Sequence, residues 1–421
     1  MVCQAKYLVL FRMQLLKDIH GAWKQSRLYR LYAFLLVLAW VKQLIWPVWL
    51  IDSSEFAQAA LNLLNGHWSA CGDLLPCGQH WLEATRRTPG YPLMMALTLH
   101  PALLGLLQCL PALAVPVLAQ QLSGGRLRWI VILLLLYPLQ FFYTAWPMPE
   151  IWVQCLLLWA VLSWKERQWQ RIPWLLSALL LLKPVFIVLL PLLVYFMVKT
   201  KGIQRWMQLL PLAIVLIVSG SNQRTTGWFH YSSMGVENTY EYNHRAVLNR
   251  VNSAAEIAAL SRRHDSLLQG MDYQARAAFM QKQTREKLLA HPLLYAWLHA
   301  KGSVAVVVDP GRYDLLAFLK AESGNGFMGI KDKGAGYWQQ PRPVLVYLGF
   351  FIALRLLVLA LALRGLIRSH RQADTWVMLL LILMFCAVAG PVGSARYLFP
   401  VAPFLFVLAA RGLETRRSQP T

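Results

Sequence analysis

An all-α polytopic membrane protein is the fold the sequence predicts, and three observations carry the prediction. Hydrophobic residues make up 57% of the 421 and charged residues only 14%. The apolar residues recur in runs long enough to cross lipid, where only helices and closed barrels satisfy their own backbone. Runs such as 129–137 and 175–182 do not alternate apolar with polar residues, so a barrel is excluded.

Taken in order, residues 1–30 read as a cytoplasmic basic amphipathic segment. The stretch 7–20 is too interrupted by charge for a signal peptide and suits an inner-leaflet helix. About ten spans follow, at 31–50, 100–121, 129–145, 148–164, 172–183, 184–198, 206–221, 343–363, 374–390 and 396–410. With the N-terminus inside, the inner connections collect Lys17, Lys24, Arg27, Arg126, Arg128, Lys165, Arg167, Lys199, Lys201, Arg364, Arg368 and Arg411. The short outer connections hold only Arg86, Arg87, Lys183 and Arg396, as the positive-inside rule requires. That distribution accounts for the net charge of +22. Basic residues spread over loops form no single patch, so nucleic acid is not expected as a partner.

The spans 172–183 and 184–198 are shorter than a bilayer needs. They meet at Lys183-Pro184, which predicts a broken or re-entrant pair. Residues 31–221 thus form an N-terminal transmembrane catalytic module with a first outer loop at 52–92. The block 222–341 forms a small outer-face domain, helical around 252–289, with an apolar stretch at 292–308 read as an outer, membrane-lying segment. Five glycines mark 323–337 as a candidate lid. A C-terminal transmembrane module and basic tail occupy 342–421.

The residues able to carry chemistry gather at the outer ends of the spans. Asp52-Ser-Ser-Glu55 follows Trp46 and Trp49, which mark the interface. As a capping box it would place Asp52 at the N-cap and Glu55 at N3, with Phe56, Ala59, Ala60 and Leu63 on one face and Gly66 closing the helix. As chemistry, it sets a carboxylate where a lipid phosphate would lie. Arg86 and Arg87 run against the charge trend. Either they touch headgroups, or the Thr88-Pro-Gly90-Tyr91-Pro turn aims a guanidinium at a phosphate, which it grips with two parallel hydrogen bonds. Glu150, in an otherwise apolar connection, is either a helix-start acid or a site residue. Lys183 and Arg396 either snorkel or serve the same site. Lys42 and Arg355 fall inside spans and need an acid, a carbonyl or a route to the interface.

Six scattered cysteines show no metal-ligand spacing. Cys71 and Cys77 share the first outer loop and make a disulfide candidate if that loop faces an oxidising compartment. The outer segments hold no Asn-X-Ser/Thr sequon, which favours a bacterial inner membrane.

In these motifs the chain resembles membrane glycosyltransferases of the GT-C type, in particular bacterial relatives of protein O-mannosyltransferases and lipid A aminoarabinose transferases in glycosyltransferase family 39. The resemblance runs through Asp52, Arg87-Thr-Pro-Gly-Tyr-Pro92, Glu150, Leu181-Leu-Lys183-Pro184, Gln223-Arg224-Thr-Thr-Gly227 and Ala395-Arg396-Tyr397. The sequence departs from the family with Phe56 where many members have Tyr, with Thr225 where relatives often have Asn, and with one acid, not a pair, at 52. Glu55 and Glu150 are both candidates for the second acid. The resemblance implies inverting transfer of a sugar from a polyprenyl-phosphate donor to an unidentified acceptor, whether lipid, glycan or protein. Asp52 would be the base, and Arg86, Arg87, Tyr91, Lys183, Arg224 and Arg396 the donor-binding set. A divalent metal is left open, because no ligand cluster demands one. Two rivals use the same residues: a transporter or flippase of lipid-linked sugars, and an inactive scaffold of envelope assembly.

Overall fold

The chain is seen in a computed structural model that describes residues 2–66, 85–98, 100–125, 127–319 and 342–414. The described residues contain helices and turns and no strand. Helix α1 (Val2–Gln25) ends at Ser26, whose hydroxyl caps α2 (Arg27–Ile45) through the Tyr29 N–H. An extended linker leads to α3 (Ile51–Leu64), which closes on Gly66 at φ 82°. Then come α4 (Gly90–Thr98), α5 (Pro101–Ser123), α6 (Leu127–Leu135), α7 (Leu139–Ala145), α8 (Glu150–Lys165) and α9 (Ile172–Leu182).

Five helical segments are long and apolar enough to cross a membrane: α2, α5, α19 (from Leu345 to Ser369), Ala373–Val392 and Ala395–Leu413. A sixth is added if α6 and α7 count as one span. Large apolar side chains such as Phe34 and Leu38 on α2, and Leu357 and Leu363 further on, stand exposed around these segments. A surface of that kind belongs against lipid, and the chain is a multi-pass membrane protein.

Several expected spans differ. The run 129–145 is not one helix: α6 and α7 meet at an angle of 77°. Pro138 stands at the start of α7 without an N–H to continue the first helix, and its ring opposes one. The segment 206–221 begins with the short α11 (Ile203–Met207), after α10 (Leu192–Lys199), and restarts as α12 (Leu210–Thr226) with Pro211 in its first turn. The break at Lys183-Pro184 is present: Lys183 is extended, and a 3₁₀ stretch runs from Pro184 to Leu189.

The described part of the block after α12 is built of helices joined by short connections. It holds α13 (Met234–Asn238), a π-helical turn Thr239–His244, α14 (Arg245–Val251), α15 (Ala254–Gln269), α16 (Tyr273–Ala290), α17 (Pro292–Val308) and α18 (Arg312–Leu319). The helix expected over 252–289 is two helices, because Gly270 and the N-cap Asp272 interrupt it. The apolar stretch 292–308 is the single helix α17, which packs on the turn Gly390–Val392. The candidate lid 323–337 lies outside the described residues, as do Cys71 and Cys77.

Helix α19 (Arg342–Ser369) leads to α20 (Ala373–Ala389) and then, through three 3₁₀ turns, to α21 (Ala402–Leu413). Of the five long segments, α5 and the one that ends in α21 are the most enclosed, and α19 crosses α21 at backbone contact. A Cβ on Gly365 would overlap the Leu408 carbonyl, and one on Gly412 the Leu361 carbonyl. At the Lys165 end, Arg411 donates to Asp374 (2.6 Å), Thr375 (2.8 Å) and the Leu122 carbonyl (2.8 Å). Lys165 reaches the same carbonyl at 2.8 Å. This clamp ties α5, α8, α20 and α21 together at the end opposite Glu150.

Candidate functional site

Eight charged side chains alternate in sign along one continuous chain of contacts at the Glu150 end. Glu237 lies 2.9 Å from Arg86 Nε, and Arg86 Nη1 donates to Glu55 Oε1 at 2.9 Å. Glu55 Oε2 accepts from Arg87 Nε at 2.7 Å and pairs with its Nη2 at 2.7 Å. The same Arg87 Nη2 lies 2.5 Å from Asp52 Oδ1. The other Asp52 oxygen pairs with Arg396 Nη1. Arg396 Nε donates to Glu150 Oε1 at 2.7 Å, and Lys183 Nζ reaches that same oxygen at 2.9 Å.

Each member has a local reason to be where it is. Asp52 lies in the first turn of α3, and Glu150 is the first residue of α8. Helix N-termini favour negative charge there. Lys183 follows the last residue of α9, where the helix end favours a cation. Arg396 is held in a 3₁₀ turn capped by the Ser394 hydroxyl. Arg86 and Arg87 precede α4, whose first residue is Gly90. A Cβ on Gly90 would come within 2.6 Å of the Leu181 carbonyl oxygen. Glycine, with no Cβ, therefore seats the arginine turn directly against the Lys183 break.

The capping box expected at 52–55 is absent. The N-cap of α3 is Leu50, without a side-chain cap, and Asp52 sits one turn position further in. Two guanidinium groups compete for its carboxylate and win over the backbone N–H groups, since charge-assisted pairs are about twice as strong as neutral ones. A complete capping box does occur, at Ser253 and Glu256, where no cation competes.

A second ring of contacts holds the arginine turn. Ser232 donates to the Arg86 carbonyl (2.8 Å), the Ser233 N–H to the Thr85 carbonyl (3.2 Å), and His230 Nε2 shares a hydrogen bond with Thr85 Oγ1 at 2.8 Å. Tyr231 donates to the Leu180 carbonyl at 2.8 Å, and Asn222 holds the His230 and Tyr231 carbonyls. Residues 228–237 are thereby stapled over both the turn and α9. Arg87 also lies 4.9 Å over the Phe56 ring. Phe56 meets Tyr91 edge-on at 5.0 Å, so an aromatic face supports the guanidinium from below.

The candidate residues sort clearly. Asp52, Glu55, Arg86, Arg87, Glu150, Lys183 and Arg396 converge. Tyr91 is fully buried and donates to Gln108 at 2.6 Å, so it supports Phe56 and does not touch the charge chain. Arg224 is exposed in the last turn of α12 and makes no ion pair with a described acid. The family position it was matched to therefore does not reach this cluster. Glu237 was not anticipated. It is one acid among many in 222–341, and only the fold distinguishes it.

Electrostatics separate Asp52 from Glu237. Burial alone would raise the Asp52 pKa, but Arg396 and Arg87 outweigh burial and hold it well below the usual carboxylate range. Glu237 goes the other way: burial pushes it up by more than Arg86 and the Ser233 hydroxyl bring it down. Glu150 is fully buried, and its Oε2 has no hydrogen-bond partner among the described residues. It is a buried acceptor whose second oxygen is left without a donor. Among the described residues no group of three or more His, Cys, Asp or Glu side chains is placed to hold a metal ion.

The intramembrane cations lie elsewhere. Lys42 donates to the Phe318 carbonyl and stands 4.3 Å over the Phe318 ring, which docks α18 on α2. Arg355 is buried at mid-helix with its guanidinium 4.8 Å over Tyr137. Beside Arg396, Tyr143 donates to Asp314 on α18 at 2.6 Å, a buried pair that the sequence reading had not singled out.

The arrangement can bind an anion through several converging cations and can hold a carboxylate ionised beside it. No family model, curated protein or solved structure matches the chain.

Proposed function

We propose that the chain is an inverting GT-C type glycosyltransferase. It would transfer a sugar from a polyprenyl-phosphate donor to an acceptor at the outer face of a bacterial inner membrane. The observation that carries this reading is Asp52 gripped between Arg87 and Arg396, with Glu150 and Lys183 adjoining, at the ends of apolar helices. The five long segments, the bent α6–α7 pair, α8, α9, α10 and α12 would supply about ten crossings. Helix α8, with 16 residues, is only about 24 Å long. With Lys165 at one surface, Glu150 would sit at headgroup depth or just below it, where a lipid phosphate can reach.

The chemistry follows from the charges. An acceptor hydroxyl or amine attacks the anomeric carbon on the face opposite the phosphate. The carbon–oxygen bond to phosphate breaks, and its electron pair leaves on the phosphate. Asp52 takes the acceptor proton, acting chiefly by position because its cations make it a weak base. Arg87, with Arg86 beside it, stabilises the charge growing on the leaving phosphate, and Arg396 and Lys183 add to the positive field. Glu150, enclosed behind them, orients Lys183 and Arg396. A phosphate leaves already ionised, so no general acid is needed, unlike in a glycosidase.

The test is transfer from a panel of undecaprenyl-phosphate sugars by purified wild-type and Asp52→Asn protein in native-like lipid. Transfer by wild type, falling by about 10³-fold or more in the variant, is the expected result. Equal turnover by both would remove Asp52 from the mechanism. Movement of sugar-lipid across proteoliposomes with no new glycosidic bond would replace the enzyme with a flippase.

A further inference from the structure

The charge chain contains four carboxylates and four cations, so it is neutral with all of them ionised. Adding a phosphate to a neutral, mostly buried cluster is costly unless a resident anion gives way. The four acids differ in their ability to do so. Glu150 is fully enclosed at the start of a membrane helix, and Glu237 is 8% exposed and also engaged by Ser233. Asp52 is 21% exposed, as open as Glu55, but its side chain is short and carries an arginine on each oxygen. Glu55 is 20% exposed, has a longer side chain, and bridges two consecutive arginines. Its Oε2 takes Arg87 side-on through Nε and Nη2, both at 2.7 Å, while Oε1 takes Arg86 at 2.9 Å. Two oxygens on two guanidinium groups is the contact pattern of a bound phosphate.

We infer that Glu55 occupies the anion position between Arg86 and Arg87 that a ligand phosphate takes, and that a phosphate binds by displacing this carboxylate. The ligand class is a phosphate ester headgroup. Displacement also reaches Asp52, because Arg87 Nη2 serves both acids. A phosphate that draws Arg87 toward itself relieves one of the two cations on Asp52 and restores its basicity. On the glycosyltransferase reading, donor binding therefore precedes and prepares acceptor activation, and the base is masked until the donor is seated.

The experiment is equilibrium binding of radiolabelled undecaprenyl phosphate to full-length protein in lipid nanodiscs, for wild type, Glu55→Gln and Glu55→Asp. Thermal midpoints of all three are measured alongside. Glu55→Gln is expected to bind about 10-fold tighter or more, since the competing charge is gone. Glu55→Asp, one methylene too short to span both arginines, should fall between it and wild type even if the Gln variant does not fold. Competition by inorganic phosphate alone would show that the bare anion suffices, and competition only by lipid phosphate would place the tail in the bilayer. Unchanged or weaker binding in both folded variants overturns the inference, since Glu55 would then be a clamp holding the arginines. That result with transfer intact leaves the glycosyltransferase standing. Tighter binding in a protein that transfers no sugar supports the displaced carboxylate and removes the enzyme.

Discussion

At the scale of single residues, Arg87 is the member of the charge chain with the least room for replacement. One guanidinium serves Glu55 and Asp52 at 2.5–2.7 Å while its plane rests on Phe56. Lysine keeps the charge and loses the fork and the stacking. Arg87→Lys is expected to lose about 1.5–3 kcal/mol of anion binding, read as a roughly 10- to 100-fold weaker affinity for undecaprenyl phosphate. Affinity equal to wild type would mean the site uses net charge alone. The sequence marks Arg87 because it runs against the positive-inside trend, Asp52 because it follows the interfacial tryptophans, and Glu150 because it is the one acid in an apolar connection. It could not mark Glu237, since nothing local distinguishes it from Glu241 or Glu256. Nor could it tell that Asp52 abandons its capping position, because a cap depends on the N–H groups nearby and the ion pair on residues 35 and more positions away.

At the scale of elements, the turn 85–89 and the break at Lys183-Pro184 act as one unit, joined at Gly90. A Cβ added there would lie 2.6 Å from the Leu181 oxygen, which leaves no space for alanine. Gly90→Ala should force the turn and α9 apart, costing about 1–3 kcal/mol by overpacking. A shift approaching 1 Å between Arg87 and Lys183 should lower turnover about 10²-fold. Thermal midpoint and turnover in the same preparation check both effects, and an unaltered turnover would show that the two elements are not coupled in function. Helix α18 gives a second prediction through Asp314. Burial raises its carboxyl from the ordinary 3.8 to about 7, against the hydrogen bond from Tyr143. A carboxyl that binds its proton more tightly in the folded state contributes stability that is complete at low pH. That contribution is lost as pH rises from 3.8 through about 7. Wild type should therefore lose thermal stability relative to Asp314→Asn across that interval. Parallel midpoint curves for the two proteins would show that the pair carries no proton linkage. The break at 183–184 was legible because proline forbids a continuous helix. The bend at Pro138 obeys the same rule, yet it was hidden by an apolar run that satisfies the length of a span on both sides of it.

At the scale of the whole molecule, the two ends of the helical bundle carry opposite kinds of polar cluster. Around Lys165 and Arg411, cations close onto helix-end carbonyls and Asp374, a clamp that leaves little to react. Around Glu150, cations close onto a row of acids, of which Glu55 is part-exposed and within reach of a competing ligand. The helical, many-span character of the chain was determined by the sequence alone, because apolar composition and run length decide what lipid will accept wherever the helices pack. The stopping points at Lys183 and Gly66 were determined the same way, by backbone chemistry local to each residue. The joining of α3, the arginine turn, α8, α9, α13 and the turn before α21 into one alternating chain of charge was decided only by tertiary structure. Ion pairing is set by distance in space, and neither periodicity nor composition encodes which of many loop charges will meet.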